Sequence, residues 1–563
     1  MPPDLIRPST SGVSLRALAE LSGAAGPVPD LRVTGASLDS RTVLPGDLYA
    51  ALPGFNVHGA QFSADAVRLG AVAVLTDAAG AAVIRGQAGS ADSAGAPHAA
   101  HSAHSAHSAA PPGTEVPLLV VDDPRARLGQ LAAAIYGDPG ADLTMVGITG
   151  TNGKTTTAYL LESALRALGC STGLIGTIET RVGKERLDSS HTTPEATDVH
   201  ALLAVMRERG ADTCVMEVSS HALDQHRVDG VVYDVALFTN LSQDHLDYHG
   251  SMEDYFAAKA RLFTPERSLS GVVCVDDEWG RRLIDRATVP VTTLTTLPTP
   301  TSEPTPTSTG AEVDWSVVPR RGAAVDGASG QPFHLVHRSG DRSLSLASHL
   351  PGDFNVANTA IAAVALLSLG HEPARVEAAL AVPPSVPGRM EVVAPGGTTD
   401  PRCIVDFAHT PDAIDVALAA LRPSTRGRLI AVLGAGGDRD RGKREAMGRA
   451  AARHADIVVV TDDNPRSEDP AEIRRTVLAG ARSAVTDGSA VAREIIDGGA
   501  RSRAISSAIA MALRGSSGSD GADTVVVLGK GHEKGQEVNG VKHPFDDREA
   551  VRTALRAAER TIR

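Results

Sequence analysis

The stretch Leu143-Thr144-Met145-Val146-Gly147-Ile148-Thr149-Gly150-Thr151-Asn152-Gly153-Lys154-Thr155-Thr156 constrains this chain more than any other. A short apolar run ends in a glycine turn, and Ala158, Leu161, Leu165 and Leu168 then follow at helical spacing. The order is strand, anion-binding loop, helix. Glycines let backbone N–H groups face an anion, and a helix N-terminus adds partial positive charge. Lys154 is long enough to reach terminal phosphates, and the Thr155 hydroxyl is placed for a Mg²⁺ ion. Gly150, Thr151, Asn152, Gly153, Lys154, Thr155 and Thr156 are therefore expected to hold nucleotide phosphates. The spacing departs from the usual phosphate-loop pattern, because Ile148 rather than glycine lies five residues before Gly153.

At 563 residues the chain is too long for one core, and turn-rich punctuation divides it at 1–140, 141–385 and 386–563. The first part reads as a small α/β domain, with strands near 71–75 and 118–121 and helices near 64–69 and 125–136. The second continues from the phosphate loop with strands near 214–218 and 235–239, a parallel or mixed sheet of P-loop ATPase type. In the third, strand-like runs at 403–407, 429–433, 457–461 and 524–528 alternate with helices, the pattern of a Rossmann-like doubly wound domain. The fold class is α/β throughout. Residues 85–114 are Ala, Ser, Gly, Pro and His, and read as a disordered insertion. Within it His98, His101, His104 and His107 recur every third residue, on a solvated linker rather than a metal scaffold. Residues 295–310, rich in Pro, Thr and Ser, read as a surface loop.

Lys and Arg number 54 against 67 Asp and Glu, a formal charge of −13 that excludes nucleic acid and anionic membranes as general partners. Anionic substrates then need local basic pockets. Cys170, Cys214, Cys274 and Cys403 are scattered and read as free thiols of a cytoplasmic protein. No apolar run reaches membrane-spanning length, so no membrane insertion is expected.

In open α/β sheets, ligands bind beyond the carboxyl ends of the strands. Met216-Glu217-Val218-Ser219-Ser220-His221 ends one strand, and a Glu217 carboxylate near the phosphate loop suits Mg²⁺. Asn240-Leu241-Ser242-Gln243-Asp244-His245-Leu246-Asp247-Tyr248-His249-Gly250 ends the next. His245 could bind a second metal, although a histidine taken alone reads as a surface or hydrogen-bonded residue. Lys259 follows on a helix, where an exposed lysine is the default reading.

These segments occur in order with Leu350-Pro351-Gly352-Asp353-Phe354-Asn355-Val356-Ala357-Asn358, Pro387-Gly388-Arg389-Met390-Glu391 and Val405-Asp406-Phe407-Ala408-His409-Thr410-Pro411-Asp412. Together they resemble the Mur ligases, the ATP-dependent amide-bond-forming family of peptidoglycan synthesis. The resemblance covers nearly the whole chain outside the two insertions. It is strongest to the member that extends UDP-N-acetylmuramoyl-L-alanyl-D-glutamate. It implies that Lys154 and the loop amides hold ATP, with Asn358, Arg389 and Asp406 as further nucleotide contacts and Arg389 in the catalytic set. It implies two Mg²⁺ ions: Thr155 and Glu217 match the first site, and His245 matches a ligand of the second. Lys259 matches a lysine carbamylated in the family, a cation turned into a metal-supporting carboxylate. Leu38, Ser40, Phe55, Asn56 and Val57 match first-domain contacts to the UDP end of the substrate. Thr192, Thr193, Ser219, Gln225 and Arg227 match contacts to the muramoyl dipeptide. His191 stands where relatives often have Asn, and Phe407 where they often have Tyr. Read without the family, Ser40-Arg41 is an ordinary turn and ion pair.

Three strands of the third domain end in Gly434-Ala435-Gly436-Gly437-Asp438-Arg439-Asp440-Arg441, Asp462-Asp463-Asn464-Pro465-Arg466 and Gly529-Lys530-Gly531-His532-Glu533. Loops after neighbouring parallel strands converge on one crevice, here mixing guanidinium groups with carboxylates. Arg439 and Arg466 can clamp carboxylates, and Glu533 can accept from an ammonium. Asp463-Asn464-Pro465-Arg466 resembles the signature of family members that add meso-diaminopimelate, with Gly529 and Glu533 in the same site. An arginine there would repel the ε-ammonium of lysine.

The implied reaction has two steps: the D-glutamate γ-carboxylate takes the γ-phosphate of ATP, and the amine then displaces phosphate from the acyl phosphate. The reactants lie on different domains, so the domains are expected to close. A monomer acting only on small molecules is expected. Ligation of L-lysine, a folylpolyglutamate-type ligase, a nucleotide-switched regulatory protein, and a degenerate ligase that only binds UDP-sugars are the rival readings.

Overall fold

The structure, a computed structural model, describes residues 7–24, 26–54, 56–91, 116–189, 191–297, 313–320, 330–397, 400–438, 440–515 and 521–562. Three sheets organise them, each with its own core.

In the first, strands Gly35–Ser37, Asp47–Ala50, Ala73–Thr76 and Leu118–Val120 pair in parallel in that order. Helix Pro124–Ile135 starts at an Asp123 cap with proline in its first turn and lays Leu128, Leu131 and Ile135 on the sheet. The same core takes Ala201 and Ala204 from helix Ala196–Glu208 of the second domain, so the two domains share packing. Helix Ala78–Ala91 continues through Arg85, where the sequence reading began its insertion. Alanine-rich composition favours helix when a preceding strand anchors it. The four histidines of that insertion lie outside the described residues.

The second sheet has eleven strands among the described residues. Its seven central strands, from Thr172–Ile175 through Thr213–Glu217, Thr144–Thr149 and Val235–Phe238 to Trp315–Pro319, are parallel, and antiparallel pairs complete both edges. Strands Thr213–Glu217 and Val235–Phe238 are buried end to end, and Thr144–Thr149 in all but its first residue, as a sheet covered on both faces requires. Helices Lys154–Ala167 and Asp353–Ser368 cover one face, and Ala196–Glu208 and Met252–Ala260 the other. Thr295 closes a strand, and 298–310, most of the Pro/Thr/Ser run, lies outside the described residues.

The third sheet runs Glu391–Ala394, Arg402–Asp406, Thr524–Leu528, Leu429–Leu433, Ile457–Thr461, Glu494–Gly499. All pairs but the first are parallel, and helices pack on both faces. Among the described residues no helix is long and apolar enough to cross a membrane.

Candidate active site

Thr144–Thr149 is flanked by Thr213–Glu217 and Val235–Phe238, so three neighbouring strands discharge their loops at one end of the sheet. The phosphate loop needs glycine twice. Gly150 has φ +141° and Gly153 has φ +89°, and a Cβ on Gly153 would collide with the Asn358 carboxamide. Asn358 Oδ1 accepts from Thr157 Oγ1 (3.3 Å), so the Asp353–Ser368 helix braces the loop. Lys154 Nζ donates back to Gly150 O (2.8 Å) and Thr151 O (2.9 Å).

Glu217, buried at the end of its strand, accepts on Oε2 from Thr155 Oγ1 (2.9 Å) and Thr177 Oγ1 (2.9 Å), and on Oε1 from Thr177 N (2.9 Å). Thr177 was not among the residues read from the sequence. It follows the strand Thr172–Ile175 beside that of Glu217, and the strand-end rule applied to that strand would have found it. Thr177 Oγ1 also meets Thr192 Oγ1 at 3.0 Å. Thr193 Oγ1 donates to Glu217 O (2.8 Å) and accepts from Ser219 N (3.1 Å). Arg227 donates to Thr193 O (3.1 Å) and Gln225 Oε1 (2.8 Å). Thr192, Thr193, Ser219, Gln225 and Arg227 thus form one polar cluster continuous with Glu217. Arg125 of the first domain joins it through Glu195 Oε2 (3.1 Å).

The default reading of Lys259 as an exposed helical lysine is wrong. Its side chain is 1% exposed, its ammonium lies 4.6 Å from the Tyr255 ring centre, and Nζ donates to Gly150 O (2.9 Å). The helix turns this face inward against the loop. Burial pushes the Lys259 ammonium well below its ordinary range, and neighbouring Lys154 adds to the shift. His245 sits in the left-handed region (φ +54°) with its ring 6.1 Å from Tyr255. Burial lowers its imidazole to about 4, so it is neutral and able to ligate a metal.

From the third domain, Arg389 Nη2 reaches Thr155 Oγ1 (3.5 Å), and its guanidinium stacks on the Phe407 ring at 4.4 Å. Losing a tyrosine hydroxyl at 407 leaves that stacking in place. Asp406 does not touch Arg389 through a hydrogen bond. It accepts from Met390 N (2.7 Å) and Ala408 N (2.8 Å), holding the turn that carries the arginine. Arg389 Nε is buried without a partner. Lys154, Lys259 and Arg389 are all depressed from their ordinary ranges, chiefly by burial. A cleft that gathers three basic groups whose charged forms burial disfavours is one that a bound anion would stabilise.

Leu38 and Ser40 follow the strand Gly35–Ser37, and exposed Asn56 and Val57 follow the adjacent Asp47–Ala50. Arg41 pairs with Asp39 at 2.7 Å, the plain turn and ion pair of the unaided reading. Phe55 and Arg439 lie outside the described residues.

The three loops of the third domain do converge. Gly437 N donates to Asn464 O (2.8 Å), and Arg466 Nη1 to Gly437 O (2.6 Å). Arg466 has φ +51° and its Nε lies 3.3 Å from Glu537 Oε2. Asn464 Nδ2 donates to Glu533 Oε2 (3.0 Å). Pro465 is buried between the loops, and Gly529 (φ +113°) passes close to the Asp463 carboxylate. Arg501, absent from the sequence reading, pairs with Asp547 (2.7 Å), both side chains fully buried, and lies 3.6 Å from Asp463 Oδ2.

Three family matches tile the chain: "Mur ligase family, catalytic domain" over 32–136, "Mur ligase middle domain" over 148–366 and "Mur ligase, glutamate ligase domain" over 388–531.

The chain belongs to the Mur ligase family.

Among Mur ligases it is 49% identical to the UDP-N-acetylmuramoyl-L-alanyl-D-glutamate–2,6-diaminopimelate ligase of Streptomyces coelicolor, over 99% of each chain. It is 42% identical to the Leifsonia xyli UDP-N-acetylmuramyl-tripeptide synthetase, over 95% of this chain and 93% of that one. A solved 2,6-diaminopimelate ligase superposes with TM-score 0.63 at 28% identity, covering 97% of this chain and 99% of that one. The Mycobacterium tuberculosis folylpolyglutamate synthase shares the fold at TM-score 0.55 and 18% identity, over 77% of this chain and 95% of that one.

Proposed function

We propose that this Mur ligase joins meso-diaminopimelate to UDP-N-acetylmuramoyl-L-alanyl-D-glutamate at the expense of ATP, in peptidoglycan precursor synthesis. The observation that carries this reading is the 49% identity, over 99% of both chains, to a relative of that name. The Asp463-Asn464-Pro465-Arg466 loop, packed against Glu533, supports it independently.

The residues fit Mg²⁺. Thr155 Oγ1 and Glu217 Oε2 are hard oxygens 2.9 Å apart beside the phosphate loop. Mg²⁺ prefers oxygen ligands and would complete its shell from phosphate and water. A second ion would use His245 and Lys259, the latter only as a carbamate: the neutral amine attacks CO₂, an N–C bond forms and one proton leaves. Burial that disfavours the ammonium supports that chemistry. Bound there, Mg²⁺ would offset charge on the phosphate oxygens during transfer.

In this reading, residues 150–156 with Asn358 and Asp406 seat the nucleotide, and Lys154 and Arg389 meet the charge that moves as the γ-phosphate passes to the substrate carboxylate. Thr192, Thr193, Ser219, Gln225 and Arg227 orient the muramoyl dipeptide, and 38–40 and 55–57 its UDP end. Arg439 and Arg466 hold the carboxylates of diaminopimelate, and Glu533 its ammonium. The amine then attacks the acyl carbon and phosphate leaves; closure of the third domain on the second keeps water from the acyl phosphate. In this reading the working unit is a monomer built of modules 1–140, 141–385 and 386–563, acting in the cytoplasm on small molecules. Incubation with ATP, the UDP-muramoyl dipeptide and either meso-diaminopimelate or L-lysine tests the reading. Phosphate release that requires the dipeptide and diaminopimelate is expected; release with lysine alone, or with neither substrate, overturns it.

A further inference from the structure

Lys530 is a buried cation in the third domain's crevice for which the reaction has no use. Its side chain is fully buried, so it cannot be a ligand reaching into solvent. Nζ donates to Glu533 Oε2 (2.8 Å) and to Asn464 Oδ1 (2.9 Å), with Asp463 Oδ1 at 3.9 Å. Glu537 N donates to the same Asn464 oxygen (2.9 Å). Two donors on Oδ1 fix which way the carboxamide faces, and its Nδ2 then donates to Glu533 Oε2 (3.0 Å). Among the described residues, the hydrogen bonds to the Glu533 carboxylate fall on Oε2. Oε1 is thereby turned away from this network, on a residue whose side chain is 37% exposed.

We infer that Lys530 is a positioning residue for the amine substrate: it holds the Asn464 carboxamide in one orientation and Glu533 in one rotamer, so that Glu533 presents Oε1 to the incoming ammonium. The inference rests on the diaminopimelate reading above and deepens it. A carboxylate that must meet one ammonium in a fixed place loses little by binding a second, buried one behind it, because its two oxygens are then divided between the two cations. Without Lys530, Glu533 is free to rotate and to bond Asn464 in alternative ways, and the ordering cost moves to substrate binding.

The test is steady-state kinetics of the full-length Lys530→Met enzyme with each substrate varied in turn. The KM for meso-diaminopimelate should rise about tenfold or more, while those for ATP and the UDP-muramoyl dipeptide stay within about twofold. In a Glu533→Gln background the same substitution should add less than about twofold, since its effect passes through Glu533. A folded Lys530→Met enzyme with an unchanged diaminopimelate KM, an equal loss for all three substrates, or additive effects with Glu533→Gln would each overturn the inference. If Lys530→Met does not fold, Lys530→Gln keeps a polar head but ends about one bond short of both acceptors. It should show the same selective rise, and no rise would overturn the inference. Wild-type enzyme that incorporates lysine, or no amine, instead refutes the functional reading before Lys530 is tested.

Discussion

Lys154 and Lys259 donate to one and the same acceptor, the carbonyl oxygen of Gly150, at 2.8 and 2.9 Å. Two amines on one carbonyl is an arrangement that repels unless one is neutral or an anion lies between them. If Lys259 is the carbamate, Lys259→Ala should lower kcat by about 10²-fold or more, in line with losing a preorganised charge at a phosphoryl-transfer site. Wild-type enzyme stripped of CO₂ should be equally slow and recover on adding bicarbonate. Activity indifferent to CO₂ would show that the amine works unmodified.

Arg389 meets Thr155 through one terminal nitrogen, Nη2, and Phe407 through its face. Lysine offers neither a plane nor a fork. Arg389→Lys should therefore cost nearly as much as Arg389→Ala, about 10²-fold in kcat/KM for ATP. Near-normal rates for the lysine enzyme would reduce Arg389 to a simple positive charge.

On the proposed reading, Arg466 would carry the selectivity of the third domain. Arg466→Ala should weaken meso-diaminopimelate by about 2–5 kcal/mol, the usual cost of leaving a buried charge partner unpaired. Nucleotide affinity, measured by calorimetry with ADP, should not change. Parallel loss of both would mean that the substitution disturbs the whole domain.

Arg501 and Asp547 form a doubly bonded pair with no exposure on either side chain. Arg501→Met strands a buried carboxylate and should destabilise the third domain by about 3–5 kcal/mol, seen as a fall in melting temperature. A Met variant as stable as wild type would mean that water reaches the pair.

Burial, with Arg389 close by, lowers His532 to about 3, whereas an unfolded histidine titrates near 6.5. The unfolded chain therefore binds a proton here that the folded chain refuses, between those two values. Stability contributed by the neutral ring is whole above pH 6.5 and is lost progressively as pH falls toward 3. A His532→Gln enzyme should show a shallower acid limb in urea melts, by up to about one proton in slope. Identical slopes would mean that the ring is protonated in the fold.

The three modules were legible because glycine and proline punctuation and strand-length apolar runs mark a doubly wound architecture without tertiary knowledge. The phosphate loop, Glu217 and the loop from Asp463 to Arg466 were legible as polar residues at strand ends. Lys259 was not legible from its helix, since burial of a lysine depends on which face a neighbouring loop covers. Thr177 and Lys530 were missed because a threonine after a strand, or a lysine between glycines, carries no spacing signal. Each gains its meaning only from the side chain opposite, Glu217 or Glu533. Arg501 was invisible for the same reason, its partner lying 46 residues on. The helix over Ala78–Ala91 shows the converse error, composition mistaken for disorder where a strand supplies an anchor.

The turn at Met390 is held at φ +46° with its amide fastened to Asp406. Arg389 is thus carried rigidly, like a pin set in a door rather than a bolt that slides. A displacement of the third domain by the length of a single bond or two withdraws the guanidinium from Thr155. On the proposed reading, the phosphate site would then hold this positive charge only while the third domain is seated against the second.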